Sequence, residues 1–220
     1  MIELLQTYLK NRETDKIISL IKENPDVLHH NDANGSSGLM LIAYSGLSKA
    51  FEQAIALKKS FSFHEAIVCG KTDVIKGYLD APDFTLINTH SNDGFTPLSL
   101  AAFFDRTEIA KALIASGADP NISAKNPSKV NALHSAIAKD NYELCKLLIE
   151  NGANVNAVQM QNVTALHSAV HRGNLDLVKL LIENNASIAM KMNNGDTALI
   201  IAEREGHQNI VKYLLGKKQS

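Results

Sequence analysis

A near-identical phrase recurs at an interval of 33 residues and limits what this chain can fold into. Residues 133 to 153 read LHSAIAKDNYELCKLLIENGA and residues 166 to 186 read LHSAVHRGNLDLVKLLIENNA, with thirteen of 21 positions identical. Weaker copies run in both directions: Leu98, Leu133, Leu166 and Leu199 mark equivalent points, followed three residues later by Ala101, Ala136, Ala169 and Ala202. Phe63 with Ala66, Leu39 with Ile42, and Leu5 extend the series toward the start, giving about seven units. Self-similarity at this period marks an array in which each unit buries its apolar face only against its neighbours.

Within a unit the pattern predicts two short helices. Ala165, Leu166, Ala169 and Val170 give a first helix; Leu177, Val178, Leu180 and Leu181 give a second with an apolar stripe at helical spacing. Gly173 breaks the chain between them, and Gly117, Gly152 and Asn185 end the second helices, all residue types that accept a left-handed backbone. Polar loops such as Asp119-Pro120-Asn121 and Asn154-Val155-Asn156 lead into the next unit. The fold class expected is an α-dominated solenoid of stacked helix pairs.

The run Asp93-Gly94-Phe95-Thr96-Pro97-Leu98-Ser99-Leu100-Ala101-Ala102 resembles the opening of an ankyrin repeat. Ser116-Gly117-Ala118-Asp119-Pro120-Asn121 and Asn151-Gly152-Ala153-Asn154-Val155-Asn156 resemble its close. The likeness is strong over 63 to 215 and weaker before. It implies ankyrin repeats with inner and outer helix layers, projecting β-hairpin or loop fingers and a concave face. It also implies that His134, His167 and His64, in the Leu-His-x-Ala place or its equivalent, hydrogen-bond between loops and units.

The expected layout is one domain over 1–220: an N-terminal cap 1–36, a short unit 37–60, units 61–93, 94–128, 129–161 and 162–194, and a C-terminal cap 195–220. Leu39 to Phe63 is 24 residues, too few for a finger. Glu203, where Ala102, Ile137 and Val170 face a following unit, reads as a polar cap that completes the domain.

Chemistry is not indicated. The chain lacks a Gly-rich phosphate loop, a G-x-S-x-G elbow and an H-E-x-x-H pair. Cys69 and Cys145 show no zinc spacing, and isolated helical cysteines behave as small hydrophobes. His29 and His30 with Asp32 offer only a remote metal-dependent alternative. No enzyme, metal or cofactor is expected.

With 22 Lys and Arg against 23 Asp and Glu, the chain lacks the field that general nucleic-acid binding requires. No signal peptide or 18-residue apolar stretch is present, and two cysteines fit a reducing compartment. The expectation is a monomeric cytoplasmic protein that binds neither nucleic acid nor membrane.

Specificity then falls to positions that stacking does not dictate. Two columns end the inner helices: Tyr44, Val68, Phe103, Ala138, His171, Arg204, and Ser45, Cys69, Phe104, Lys139, Arg172, Glu205. Phe95, Met160 and Val163 sit on fingers. Tyr44, Val68, Phe95, Phe103, Phe104, Lys139, Met160, Val163, His171, Arg172 and Arg204 are therefore the candidate partner contacts, with internal packing an equal reading for the three phenylalanines. The function expected is non-catalytic binding of a protein partner. Its variants are a stoichiometric inhibitor or regulator of an enzyme and an effector engaging host proteins.

Overall fold

The computed structural model describes residues 1–217 and separates into two compact units. The first comprises Met1–Phe84 with Ser91–Asp93, and the second comprises Thr85–His90 with the chain from Gly94 onward. Each is built from stacked helix pairs, so the α-dominated repeat solenoid anticipated from the 33-residue period is the architecture found.

In the first unit, α1 (Ile2–Lys10) pairs with α2 (Thr14–Glu23), α3 (Gly38–Tyr44) with α4 (Ser48–Leu57), and α5 (Phe63–Val68) with α6 (Thr72–Leu79). Ile17, Leu20 and Ile21, spaced at three and four residues on α2, enter a core with Leu5, Val27, Leu28, Leu39, Ile42, Ala50 and Ala54. Phe63 replaces the leucine of other units and meets Tyr78 and Phe84 edge-on, at centroid distances of 5.4 and 4.8 Å.

Only five residues join α4 to α5, and no finger forms there. Lys58 turns inward instead. Its Nζ donates to Leu28 O at 3.0 Å and His29 Nδ1 at 3.0 Å, and lies 3.1 Å from Glu65 Oε1. Both charged side chains are buried, at 1% and 8% exposure. Glu65 also accepts from the Ser37 hydroxyl at 2.6 Å and from the Ser62 amide at 3.0 Å, while Ser62 caps the Glu65 amide. It closes a capping box at the N-terminus of α5. Asn92 donates to Gly35 O at 2.6 Å and ties the Ser91–Asp93 segment to the loop before α3.

The second unit holds inner helices α7 (Pro97–Phe103), α9 (Ala132–Ala138), α11 (Ala165–His171) and α13 (Ala198–Arg204). Their outer partners are α8 (Thr107–Ala115), α10 (Tyr142–Glu150), α12 (Leu175–Glu183) and α14 (Gln208–Lys217). Consecutive inner helices pack together, as do consecutive outer ones. Thr96, Asn131, Thr164 and Thr197 cap the inner helices through the amide three residues on.

His134 and His167 staple the stack as the ankyrin resemblance implied. Nδ1 accepts from the amides of Asn131 (3.4 Å) and Thr164 (3.1 Å), which leaves the proton on Nε2 to reach Ala157 O (3.2 Å) and Met190 O (3.1 Å). His64 is not the capping-box histidine of its unit: α5 starts one residue later, and Glu65 takes that task.

Asparagines repeat a second staple. Asn121 donates to Gly152 O and accepts from Asn154 N, and Asn156 does the same with Asn185 O and Ser187 N. The fingers are tied by single backbone bonds, Lys125 N to Gly94 O, Met160 N to Ser128 O and Asn193 N to Gln161 O. Among the described residues one finger carries a regular ladder, β1 (Val158–Gln159) antiparallel to β2 (Val163–Thr164); the others are turns. At the far end Glu203 is exposed, yet so are Ile200 and Leu215, so that surface is partly apolar.

Candidate functional site

The turns between inner and outer helices decide how the side chains beside them are held. Four of them carry a left-handed glycine, Gly46, Gly70, Gly173 and Gly206, but the equivalent places after α7 and α9 hold Asp105 and Asp140, with φ of 55° and 53°. Each aspartate is used by the next repeat. Asp105 accepts from Asn141 Nδ2 at 2.6 Å. Asp140 accepts from Asn174 Nδ2 at 3.2 Å and from both Nε, at 2.9 Å, and Nη2 of Arg172. Hydrogen bonding from Arg172 holds the Asp140 carboxyl below its ordinary range and the arginine above its own.

One turn further, Arg204 Nη1 donates to Asp196 Oδ2 at 2.5 Å, with Glu205 3.7 Å from Nε. That bond likewise lowers the Asp196 carboxyl and raises Arg204. His171 Nδ1 lies 3.5 Å from the same oxygen, Oε1, of Glu205. Each guanidinium is thus held by a carboxylate, Arg172 by Asp140 of the preceding repeat and Arg204 by Asp196 of its own.

Between these arginines lies a cavity of about 410 Å³. Ala138, Val163, Met192 and Ile201 supply apolar walls, and His167, Ser168, His171, Arg172 and Arg204 supply polar groups. The lining comes from inner helices α9, α11 and α13 and from the finger residues Val163 and Met192. The volume lies in the range of ligand-sized clefts.

Four sequence candidates, Val163, His171, Arg172 and Arg204, come together in this cavity. Phe103, 41% exposed, meets Phe104 edge-on at 5.1 Å and lies beneath Lys139 Nζ at 4.7 Å. Phe104 and Phe95 are half-buried, and Met160 on its finger is 53% exposed. Tyr44 belongs to the first unit, where burial and the neighbouring Asp93 carboxylate push its hydroxyl far up. Val68 is a correction to the sequence reading. It is fully buried, because a β-branched aliphatic side chain ending a helix gains more from the interior than from solvent.

Sequence reasoning missed Ser168, Met192 and Ile201 in the cavity wall and Asp140 beside Arg172. Asp140 left a signal: a non-glycine where four other units have glycine, with an arginine 32 residues on. Cys145 is fully buried, and burial, with Asp140 nearby, pushes its thiol up to about 12. Among the described residues no group of three His, Cys, Asp or Glu side chains is placed to hold a metal ion. No described helix is long and apolar enough to cross a membrane.

Comparison with known proteins agrees with this geometry. The family profile described as ankyrin repeats (3 copies) matches residues 5–124, 63–159 and 133–220. The chain belongs to the ankyrin-repeat family, whose members are generally non-catalytic protein-interaction modules. It is similar to the human DNA-binding protein RFXANK, with 37% identity over 76 residues, covering 34% of this chain and 29% of that protein.

Proposed function

We propose that this protein binds a partner protein without catalysing a reaction, using the concave side of its second unit and the adjoining finger. The cavity on α9, α11 and α13 carries this reading, because it joins an apolar wall to arginines already fixed in place. A surface whose side chains are pre-ordered loses little entropy on association. Phe103, Lys139 and Met160 extend the contact, since exposed aromatic and methionine side chains serve as interface anchors.

Among the described residues no group of three His, Cys, Asp or Glu is placed to hold a metal ion, and His29, the core of the metal alternative, is hydrogen-bonded to Lys58. The name of the RFXANK relative raises DNA binding, but the near-neutral chain favours a protein contact over a direct one to phosphates. We also propose a monomeric cytoplasmic protein. Regulation of an enzyme, or of host proteins as an effector, would use the same surface.

The test is affinity capture of a partner by the wild-type protein, repeated with Phe103→Ala/Met160→Ser. Recovery is expected to fall at least about tenfold, corresponding to loss of one or two anchors, with circular dichroism unchanged. Undiminished recovery would place the interface elsewhere.

A further inference from the structure

Arg172 and Arg204 are each engaged by intramolecular carboxylates. Arg172 uses Nε and Nη2, and Arg204 uses Nη1 with Nε toward Glu205. Among the described residues, Nη1 of Arg172 and Nη2 of Arg204 have no partner, and both side chains line the same cavity. Ser168 on α11, four residues before Arg172, adds a hydroxyl, and none of the nine lining residues is a carboxylate. The remaining walls are the imidazoles of His167 and His171 and the aliphatic or thioether side chains of Ala138, Val163, Met192 and Ile201.

We infer that this cavity receives a peptide segment of a partner protein that carries an aspartate or glutamate beside an aliphatic side chain. The inference rests on the second unit's concave side being the partner surface. A carboxylate accepts from the remaining Nη donors of the two arginines, and the aliphatic neighbour gains from leaving water on the Val163, Met192 and Ile201 wall.

The local charge selects among anions. Asp140, Asp196 and Glu205 stand behind Arg172 and Arg204, so the cavity recognises by directed donors rather than by an excess of positive charge. A singly charged carboxylate fits that balance. A phosphate, carrying nearly two charges and facing three nearby carboxylates, does not.

Selection from a phage library of random 12-residue peptides against the whole protein tests this. Enriched peptides are expected to carry Asp or Glu within two residues of Leu, Ile, Val or Met. A synthetic winner should lose about tenfold in affinity when its acid becomes the amide. It should lose as much when Ser168→Glu places a competing carboxylate in the cavity, and under threefold with Ser168→Gln. Neither substitution removes a member of the Arg172–Asp140 or Arg204–Asp196 pair.

Winners that are blocked by Ser168→Glu but bind equally well as amides would overturn the acidic-peptide inference and leave the partner surface standing. Preference for phosphopeptides over their acidic counterparts would overturn it likewise. If no winner responds to Ser168→Glu, both readings fail.

Discussion

Glu65→Ala is expected to destabilise the first unit by about 3–5 kcal/mol, the cost of leaving one member of a buried ion pair uncompensated. Glu65 accepts from Ser37, from the Ser62 amide and from Lys58, and the Lys58 ammonium is 1% exposed. Burial alone would raise the Glu65 carboxyl. The hydrogen bonds from Ser37 and Ser62 and the Lys58 charge outweigh it and hold the group below its ordinary value. Deleting the carboxylate strands the ammonium against Leu28 O and His29 and opens the capping box of α5. Lys58→Met/Glu65→Gln should cost less than the single change, since no charge remains buried. Denaturant titration with hydrogen exchange on α3 and α5 measures both. A single variant within about 1 kcal/mol of wild type would show that the pair is solvated.

Acid should weaken the second unit well above the range in which carboxylates protonate. Burial, only partly offset by the hydrogen bond to Ala157 O, lowers His134 to about 4 from its ordinary 6.5. Between those values the unfolded chain binds a proton that the folded chain refuses. Stability from this group is therefore complete above about pH 6.5 and drains as pH falls toward 4, by about 3 kcal/mol in all. Protonation also fills Nδ1, which accepts from the Asn131 amide. His167, lowered by its own burial, adds in the same direction. Unfolding free energies from pH 7.5 to 4 should show the decline, reduced in His134→Asn. A flat profile over that interval would mean the imidazoles are hydrated.

The repeat period made the helix pairs legible, because the same residues recur wherever the same contact is made, and the ankyrin resemblance implied the histidine staples. What the sequence concealed lies where one unit departs from the others. The missing finger after Lys58 showed in the spacing, but not that Lys58 and Glu65 would fill the place with a buried pair. Periodicity registers length, and says nothing about which polar groups find each other. The end-of-helix columns named His171, Arg172 and Arg204, and the finger positions Val163, four residues that line one cavity. They could not separate Val68, turned fully inward, from Phe103, left exposed, since both are apolar residues at equivalent places. Asp140 was readable only as an anomaly, and its partner required the register of the turns.

Site-specific photo-cross-linking tests the partner surface most directly. A photoreactive amino acid is placed at Ser168 in the cavity, and separately at Lys179 on outer helix α12, in the protein as expressed with its natural partners present. The expected result is a discrete cross-linked protein from position 168, absent from position 179 and suppressed by Phe103→Ala/Met160→Ser. The same adduct forming from position 179, with none from 168, would contradict the concave side of the second unit as the binding face.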